Sequence, residues 1–230
     1  MFLSIFATAV DDGYGGTIYN PTLLGYTALV AVMIILLLLA AFLSSKTGKG
    51  RHAFSTRQLV FAALSIALAT VTSFLKLFDM PMGGSVTLFS MLFITLIGYW
   101  YGAKIGIVTA VAYGFLQLIL DPYILSIPQM FVDYIFAFGA LGLSGFFSQS
   151  RYGLIKGYLF GVLGRFVFAV LSGVIFFASS AEGTGMSPLV YSIAYNGSYL
   201  AAEAAITLIL LALPPVRSAI TQVKRLAVQD

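Results

Sequence analysis

YILSIPQMFVDY, residues Tyr123 to Tyr134, sets a serine, a proline, a glutamine and an acid between two tyrosines, with apolar runs on either side. Ser126-Ile127-Pro128-Gln129 has the form of a capping box, with Ser126 as the cap and Gln129 reaching back. Pro128 fits the first turn of a helix, where a missing N–H costs nothing. The spacing therefore predicts a helix that begins near Ile127. Gln129 and Asp133 are four residues apart and share a face of it. The run on to Phe147 is apolar and about as long as the ~20 residues that cross a bilayer. An acid near a helix N-terminus is stabilised by the dipole alone. At membrane depth, however, an ionisable group costs at least ~2.5 kcal/mol on insertion scales, and its default reading is functional.

The whole chain agrees with a membrane setting. Of its 230 residues 60% are hydrophobic and 9% charged, and the mean hydropathy is +1.01. Soluble domains carry about 25% charged residues. The fold class expected is an all-α integral membrane protein. The absence of cysteine excludes disulfides, thiol catalysis and cysteine metal sites. The single histidine, His52, lies in the polar stretch SSKTGKGRHAFSTR, which argues against a histidine-based zinc or haem site. No metal or other cofactor is expected. There is no GxxxxGK[ST] phosphate loop, no HExxH and no nucleophile elbow, so the chain does not read as an enzyme.

Apolar runs occupy Thr22–Leu43, Gln58–Leu75, Ser85–Tyr101, Ile105–Leu120, Pro128–Phe147, Gly157–Ala178 and Leu189–Leu213. The organisation expected is an interfacial or disordered N-terminal tail over 1–21, an extra transmembrane helix over 22–43 and a basic linker over 44–57. A six-helix core over 58–216 and a C-terminal tail over 217–230 follow. If the linker faces the cytoplasm, ten of the twelve basic residues fall on that side, leaving Lys76 outside and Arg165 within a helix. Asp11, Asp12, Asp79, Asp121 and Glu182 all fall outside. This is a positive-inside pattern, with the N-terminus outside and the C-terminus in the cytoplasm. It explains the net charge of +4 without invoking nucleic acid.

Three ionisable residues enter the spans: Asp133, Arg165 and Glu203. The last span, YSIAYNGSYLAAE, places Asn196, Tyr199 and Glu203 on one face, with Tyr191 able to converge near the outer end. Glu203 is expected to form a structural ion pair, with Arg165 as one partner. Trp100 reads as an interfacial anchor. Glycines spaced for helix packing, Gly102–Gly106, Gly157–Gly161 and Gly139, Gly142, Gly145, read as close contacts within the bundle. An acid and several aromatics meeting near the outer surface form a pocket for a flat, cationic, hydrogen-bonding ligand.

From about Ser55 to Val216 the chain resembles the S-components of energy-coupling factor transporters, specifically the thiamin-binding ThiT type. The stretches that carry the resemblance are YILSIPQMFVDY, GRFVFAVLSGVIFF, GMSPLVYSIAYNG and VFAALSIALA. The resemblance implies a vitamin-binding membrane subunit in a prokaryotic plasma membrane. It takes thiamin from outside and docks on a transmembrane coupling protein (T-component) bearing two ABC ATPase subunits. It also implies ligand contacts at Tyr123, Asp133, Tyr134, Tyr191 and Asn196, to which Gln129 and Phe177 are added here. Ala63 and Ala67 are the implied contacts to the coupling protein. Three positions depart from the family: its acid is usually glutamate, where this chain has Asp133, and its histidine and tryptophan are here Ala169 and Phe177. A related pyrimidine or cationic vitamin precursor is therefore an alternative ligand, and a stand-alone secondary transporter an alternative mode.

Overall fold

A computed structural model describes residues 3–11, 17–31, 54–80 and 84–228. The core is six apolar helices: α1 (Thr56–Ser73), α2 (Ser90–Tyr101), α3 (Ala103–Leu120), α4 (Ile127–Phe147), α5 (Gly153–Phe176) and α6 (Pro188–Ala212). All but α2 are long and apolar enough to cross a membrane. Their outward faces carry large apolar side chains at helical spacing, such as Leu64, Leu68 and Val71 on α1 and Leu163, Val167, Leu171 and Ile175 on α5. That is the surface a bilayer requires, since lipid accepts apolar side chains and no unpaired backbone. Of the extra N-terminal helix, residues 23–31 are described and helical; 32–43, and most of the linker after it, lie outside the described residues.

Local signals set the helix ends. Ser55 and Gln58 form a complete capping box at α1, with Gln58 N–H to Ser55 Oγ at 3.2 Å and Ser55 N–H to Gln58 Oε1 at 2.9 Å. At α4, Ser126 Oγ accepts from the Gln129 N–H (3.3 Å), but the Gln129 side chain does not complete the box. It bonds the Leu125 N–H instead. Ser187 caps α6, with Pro188 in the first turn.

One expectation about the helices is corrected. Ser85–Thr87 is not helical but a strand, β4, paired antiparallel with β3 (Lys76–Asp79), so α2 begins only at Ser90. Val86 and Thr87 favour extended backbone, and Phe89 turns the chain through a left-handed conformation at φ 64°. Ala7–Asp11 and Thr17–Pro21 form an antiparallel hairpin, with Ala7 opposite Pro21 and Asp11 opposite Thr17. β-Branched residues on either side of DDGYGG are the sequence signal for it. The C-terminal tail is helix α7 (Pro214–Val228). It docks beneath α2, with Lys224 Nζ 3.8 Å from the Tyr99 ring centroid and Tyr101 Oη donating to the Ala227 carbonyl at 3.0 Å.

The helices meet through glycine. A Cβ on Gly142 of α4 would collide with the backbone of Gly106 and Ile107 of α3, and one on Gly145 with that of Gly102 and Ala103. Gly98 of α2 joins the same seam, its Cα lying 2.6 Å from a Cβ built on Gly106. On the other side of α4, Gly157 and Gly161 of α5 abut the Ser144 and Leu141 backbone. Such approaches are the main source of helix association in lipid, where water supplies no hydrophobic drive between helices. Trp100 packs edge-on to Phe61 of α1, with ring centroids 5.9 Å apart.

Gly142→Ala is expected to destabilise the purified protein by about 1–3 kcal/mol through overpacking. Gly197→Ala, whose new methyl would meet only Phe166 at 3.7 Å, is expected to leave the melting temperature in detergent unchanged or slightly raised.

Candidate functional site

One cavity of about 380 Å³ opens among the ends of the helices on the side that carries β3–β4 and the 121–126 segment. Its volume lies in the range of small-molecule sites, about 300–1,000 Å³. Tyr123, Gln129, Asp133, Tyr134, Phe177, Tyr191 and Asn196, the seven ligand positions read from the sequence, all line it, as does Ala169.

Helix α4 supplies the acid. After its first turn it widens into a π-helical stretch, Phe131–Phe136, with Asp133 near its start. Such widened turns are rare and concentrate at functional sites. Gln129 is 1% exposed, and both ends of its amide are used. Oε1 accepts from the Leu125 N–H (3.0 Å), while Nε2 donates to the Tyr123 carbonyl (3.1 Å) and to Asp133 Oδ2 (2.6 Å). Tyr134 completes the rim: its hydroxyl accepts from the Tyr123 N–H (2.8 Å) and donates to the Asp121 carbonyl (2.9 Å). Its hydroxyl is thus committed to the rim, and its ring stacks on Phe138.

The walls are aromatic. Tyr123 stacks with Phe177 at 6.0 Å between centroids and 25° between planes, and Tyr191 stacks with Tyr195 at 6.1 Å and 16°. Tyr195 also accepts the Gly84 N–H through its hydroxyl (3.0 Å), which ties β4 to α6. Asn196 is a hub: Nδ2 donates to the Ser192 carbonyl (3.0 Å) and the Ala169 carbonyl (3.3 Å), and Oδ1 accepts from Tyr199 Oη (2.9 Å). On α5, Ser172 and Arg165 face the same space.

Glu203 does not form the ion pair expected of it. It is 3% exposed and accepts from Thr87 Oγ1 (2.7 Å), Ser90 Oγ (3.1 Å) and the Met91 N–H (3.2 Å). Phe89, at the cap position of α2, makes no side-chain cap bond. The carboxylate from α6 caps that helix instead, where the dipole favours negative charge. Arg165 lies over the Phe138 ring, with Cζ 4.1 Å from its centroid.

At the rim, Lys76 Nζ bridges Asp121 Oδ2 (3.1 Å) and Asp79 Oδ1 (3.4 Å), joining β3 to the 121–126 segment. Burial alone would lower the Lys76 pKa, but the hydrogen bonds and charges of Asp121 and Asp79 outweigh it and hold the amine above its usual value. Both acids are mostly exposed, so each bridge contributes at most about 1 kcal/mol.

Residues 59–222 match the model of the family described as thiamine transporter protein (Thia_YuaJ). The chain belongs to the thiamine transporter family. It is 31% identical over 172 residues to the thiamine transporter ThiT of Bacillus subtilis (strain 168), covering 68% of this chain and 88% of that protein. Its fold is similar to the solved structure of ThiT from Listeria monocytogenes, with a TM-score of 0.56, 25% identity and coverage of 69% of this chain and 94% of the other. Family membership and the long apolar helices make it a multi-pass membrane protein. The N-terminal hairpin and the helical residues 23–31 lie outside the family match.

Lys76, Gln117, Asp121, Tyr195 and Tyr199 also line the cavity without having been singled out as ligand positions. Tyr195 had a signal, since it lies four residues after Tyr191 on the same helix face. Lys76 and Asp121 had none, because their contact joins loops 45 residues apart in sequence.

Gln129→Leu would leave the Leu125 N–H and the Tyr123 carbonyl unsatisfied, at about 1–3 kcal/mol for each group. The expected result is faster amide hydrogen exchange across 121–126 and a lower melting temperature. Unchanged exchange there would show that the amide does not hold the rim.

Proposed function

We propose that the chain is the membrane-embedded substrate-binding subunit of an energy-coupling factor importer, taking thiamin from outside a prokaryotic cell. In this reading the cavity opens outward, the N-terminus lies outside and the C-terminus in the cytoplasm. Bound vitamin is passed inward when the subunit docks on a transmembrane coupling protein driven by two ABC ATPases.

The observation that carries the reading is the charge inside the bundle. Asp133, Glu203 and Arg165 are the acids and bases that lie more than one turn inside the core helices, and with both acids ionised these three leave one net negative charge. Glu203 is saturated by neutral donors, so the charge open to a ligand is that of Asp133, beside stacked aromatic faces. A monocationic, flat ligand neutralises the set, and the thiazolium of thiamin is such a cation. Family membership and the ThiT relatives support thiamin in particular. The basic residues Arg57, Lys104, Arg151, Lys156, Arg217, Lys224 and Arg225 lie in elements at the end away from the cavity, which supports the orientation. Ala63 and Ala67 are exposed on α1, on the side away from the buried Ser65 and Ala69, which supports a flat docking face there. Ala169 and Phe177 favour a related pyrimidine or cationic precursor as the second reading, because Ala169 brings only a methyl group to the cavity.

Calorimetric titration of the purified protein with thiamin is expected to give tight 1:1 binding without ATP. Absence of heat up to high micromolar thiamin, with binding of an aminopyrimidine alone, would favour the second reading. Asp133→Asn is expected to weaken thiamin by about 2–5 kcal/mol and an uncharged analogue far less; equal losses would argue against charge pairing.

Ala63→Trp with Ala67→Trp is expected to leave that affinity unchanged while abolishing uptake in vesicles that also hold the coupling module. Proton-driven uptake by the wild-type chain alone would instead identify a secondary transporter.

A further inference from the structure

Of the charged groups that line the cavity, Arg165 is the one on a core helix that the binding reading leaves unused. Its guanidinium lines the cavity, with Cζ 4.1 Å from the Phe138 ring centroid, and that ring is itself held by Tyr134 at 6.3 Å and Tyr113 at 5.4 Å between centroids. Among the described residues it makes neither an ion pair nor a hydrogen bond. The acceptors around it are bonded to other donors or lie out of its reach. Glu203 accepts from Thr87, Ser90 and Met91. Asp133 accepts from Gln129 and has no nitrogen of Arg165 within ion-pairing distance. The Tyr113 hydroxyl donates to the Ala69 carbonyl at 3.3 Å.

A guanidinium stacked by its face keeps its in-plane N–H groups available, five donors in a rigid fork. One turn along α5 on the same side stands Ala169. Both line the cavity, and the Ala169 methyl brings no hydrogen-bonding group to it. An arginine at membrane depth without an acceptor is costly, and a ligand that brings one removes the cost.

We propose that Arg165 is the second pole of the binding site, donating hydrogen bonds to a neutral acceptor on the ligand while Asp133 faces its cation. The proposal rests on the thiamin reading and deepens it: the acceptor is a ring nitrogen of the aminopyrimidine. The charge balance selects a neutral acceptor over a phosphate. Thiamin brings the buried set to zero, whereas a phosphate ester would leave it negative again.

The test uses thiamin and two full-size analogues, each with one pyrimidine ring nitrogen replaced by C–H, titrated against the wild type, Arg165→Met and Arg165→Lys. Wild type is expected to bind one analogue about 10- to 100-fold more weakly than thiamin, the range for a hydrogen bond to a charged group. Arg165→Met is expected to lose a similar factor for thiamin and to bind thiamin and that analogue equally. Losses that multiply instead of merging would overturn the assignment, as would wild-type affinity in Arg165→Met. If the methionine variant does not fold, Arg165→Lys decides, since its ammonium lacks the fork. A discrimination at least about threefold smaller supports the role, and an unchanged one overturns it. Wild type that prefers thiamin monophosphate, with the preference lost in Arg165→Met, would make the site an anion site and overturn the neutral acceptor. Wild type that binds no thiamin overturns the underlying reading, an outcome separate from all of these.

Discussion

A polar group inside a bilayer has no water to fall back on, and that constraint sorts the buried residues of this chain by what they are for. Glu203 is met by two hydroxyls and a backbone N–H. Asn196 has its amide fully engaged by Ser192, Ala169 and Tyr199. Gln129 spends both ends of its side chain on the rim and on Asp133. These groups are structural in the apo protein, because each is already satisfied. Asp133 and Arg165 are different: one has a single neutral donor, the other an aromatic ring and no acceptor. Among the charged groups inside the bundle, these two face the cavity, where a solute can meet them.

The glycine seams explain why that cavity has its place. At the end away from the 121–126 segment, α2, α3, α4 and α5 approach to backbone contact through Gly98, Gly106, Gly142, Gly145, Gly157 and Gly161, leaving no room for a solute. Toward the other end α3 and α4 still meet at Gly114 and the Tyr134 backbone, but Tyr113, Tyr134, Phe138 and Tyr199 line the open cavity. The taper from glycine to aromatic along the same helices makes a closed base and an open mouth. The π-helical stretch lies where α4 crosses from one regime to the other, between the open rim and the Gly139–Gly145 contacts.

The parts of this that were legible in the sequence were local. Apolar runs of bilayer length located five of the six core helices to within a few residues, because that signal comes from about 20 neighbouring residues at once. Gln129 and Asp133 were legible as a pair because helical spacing alone brings them together, and the 2.6 Å bond between them is that spacing realised. What escaped was long-range. The partners of Glu203 lie 112–116 residues away in sequence, so the acid was matched to the only cation in the spans, while neutral donors at an uncapped helix end won. The same omission misplaced the start of α2. Its first residues were taken as apolar helix when Thr87 and Ser90 were needed as donors to that carboxylate. Helix α7 was hidden for another reason: its amphipathic pattern follows directly on α6, separated only by Pro214-Pro215.

The shorter acid and the missing hydrogen-bonding side chain on α5 can be understood together. An aspartate held at 2.6 Å by a buried glutamine stays against the wall of α4, and an alanine at 169 withdraws the wall of α5. Neither residue supplies a hydrogen-bond donor to the cavity. The guanidinium of Arg165, braced on Phe138 at the same level of the bundle, is the group with donors to spare there. Selectivity in such a site shifts from shape toward electrostatics. In the proposed binding mode a ligand is held at two poles of opposite sign, and one that lacks either the cation or the acceptor leaves a charge inside the bundle unmet. Because the cost of an unmet buried group exceeds the gain from a met one, a site of this kind discriminates mainly by penalty. That explains how it can tolerate loose walls and remain selective.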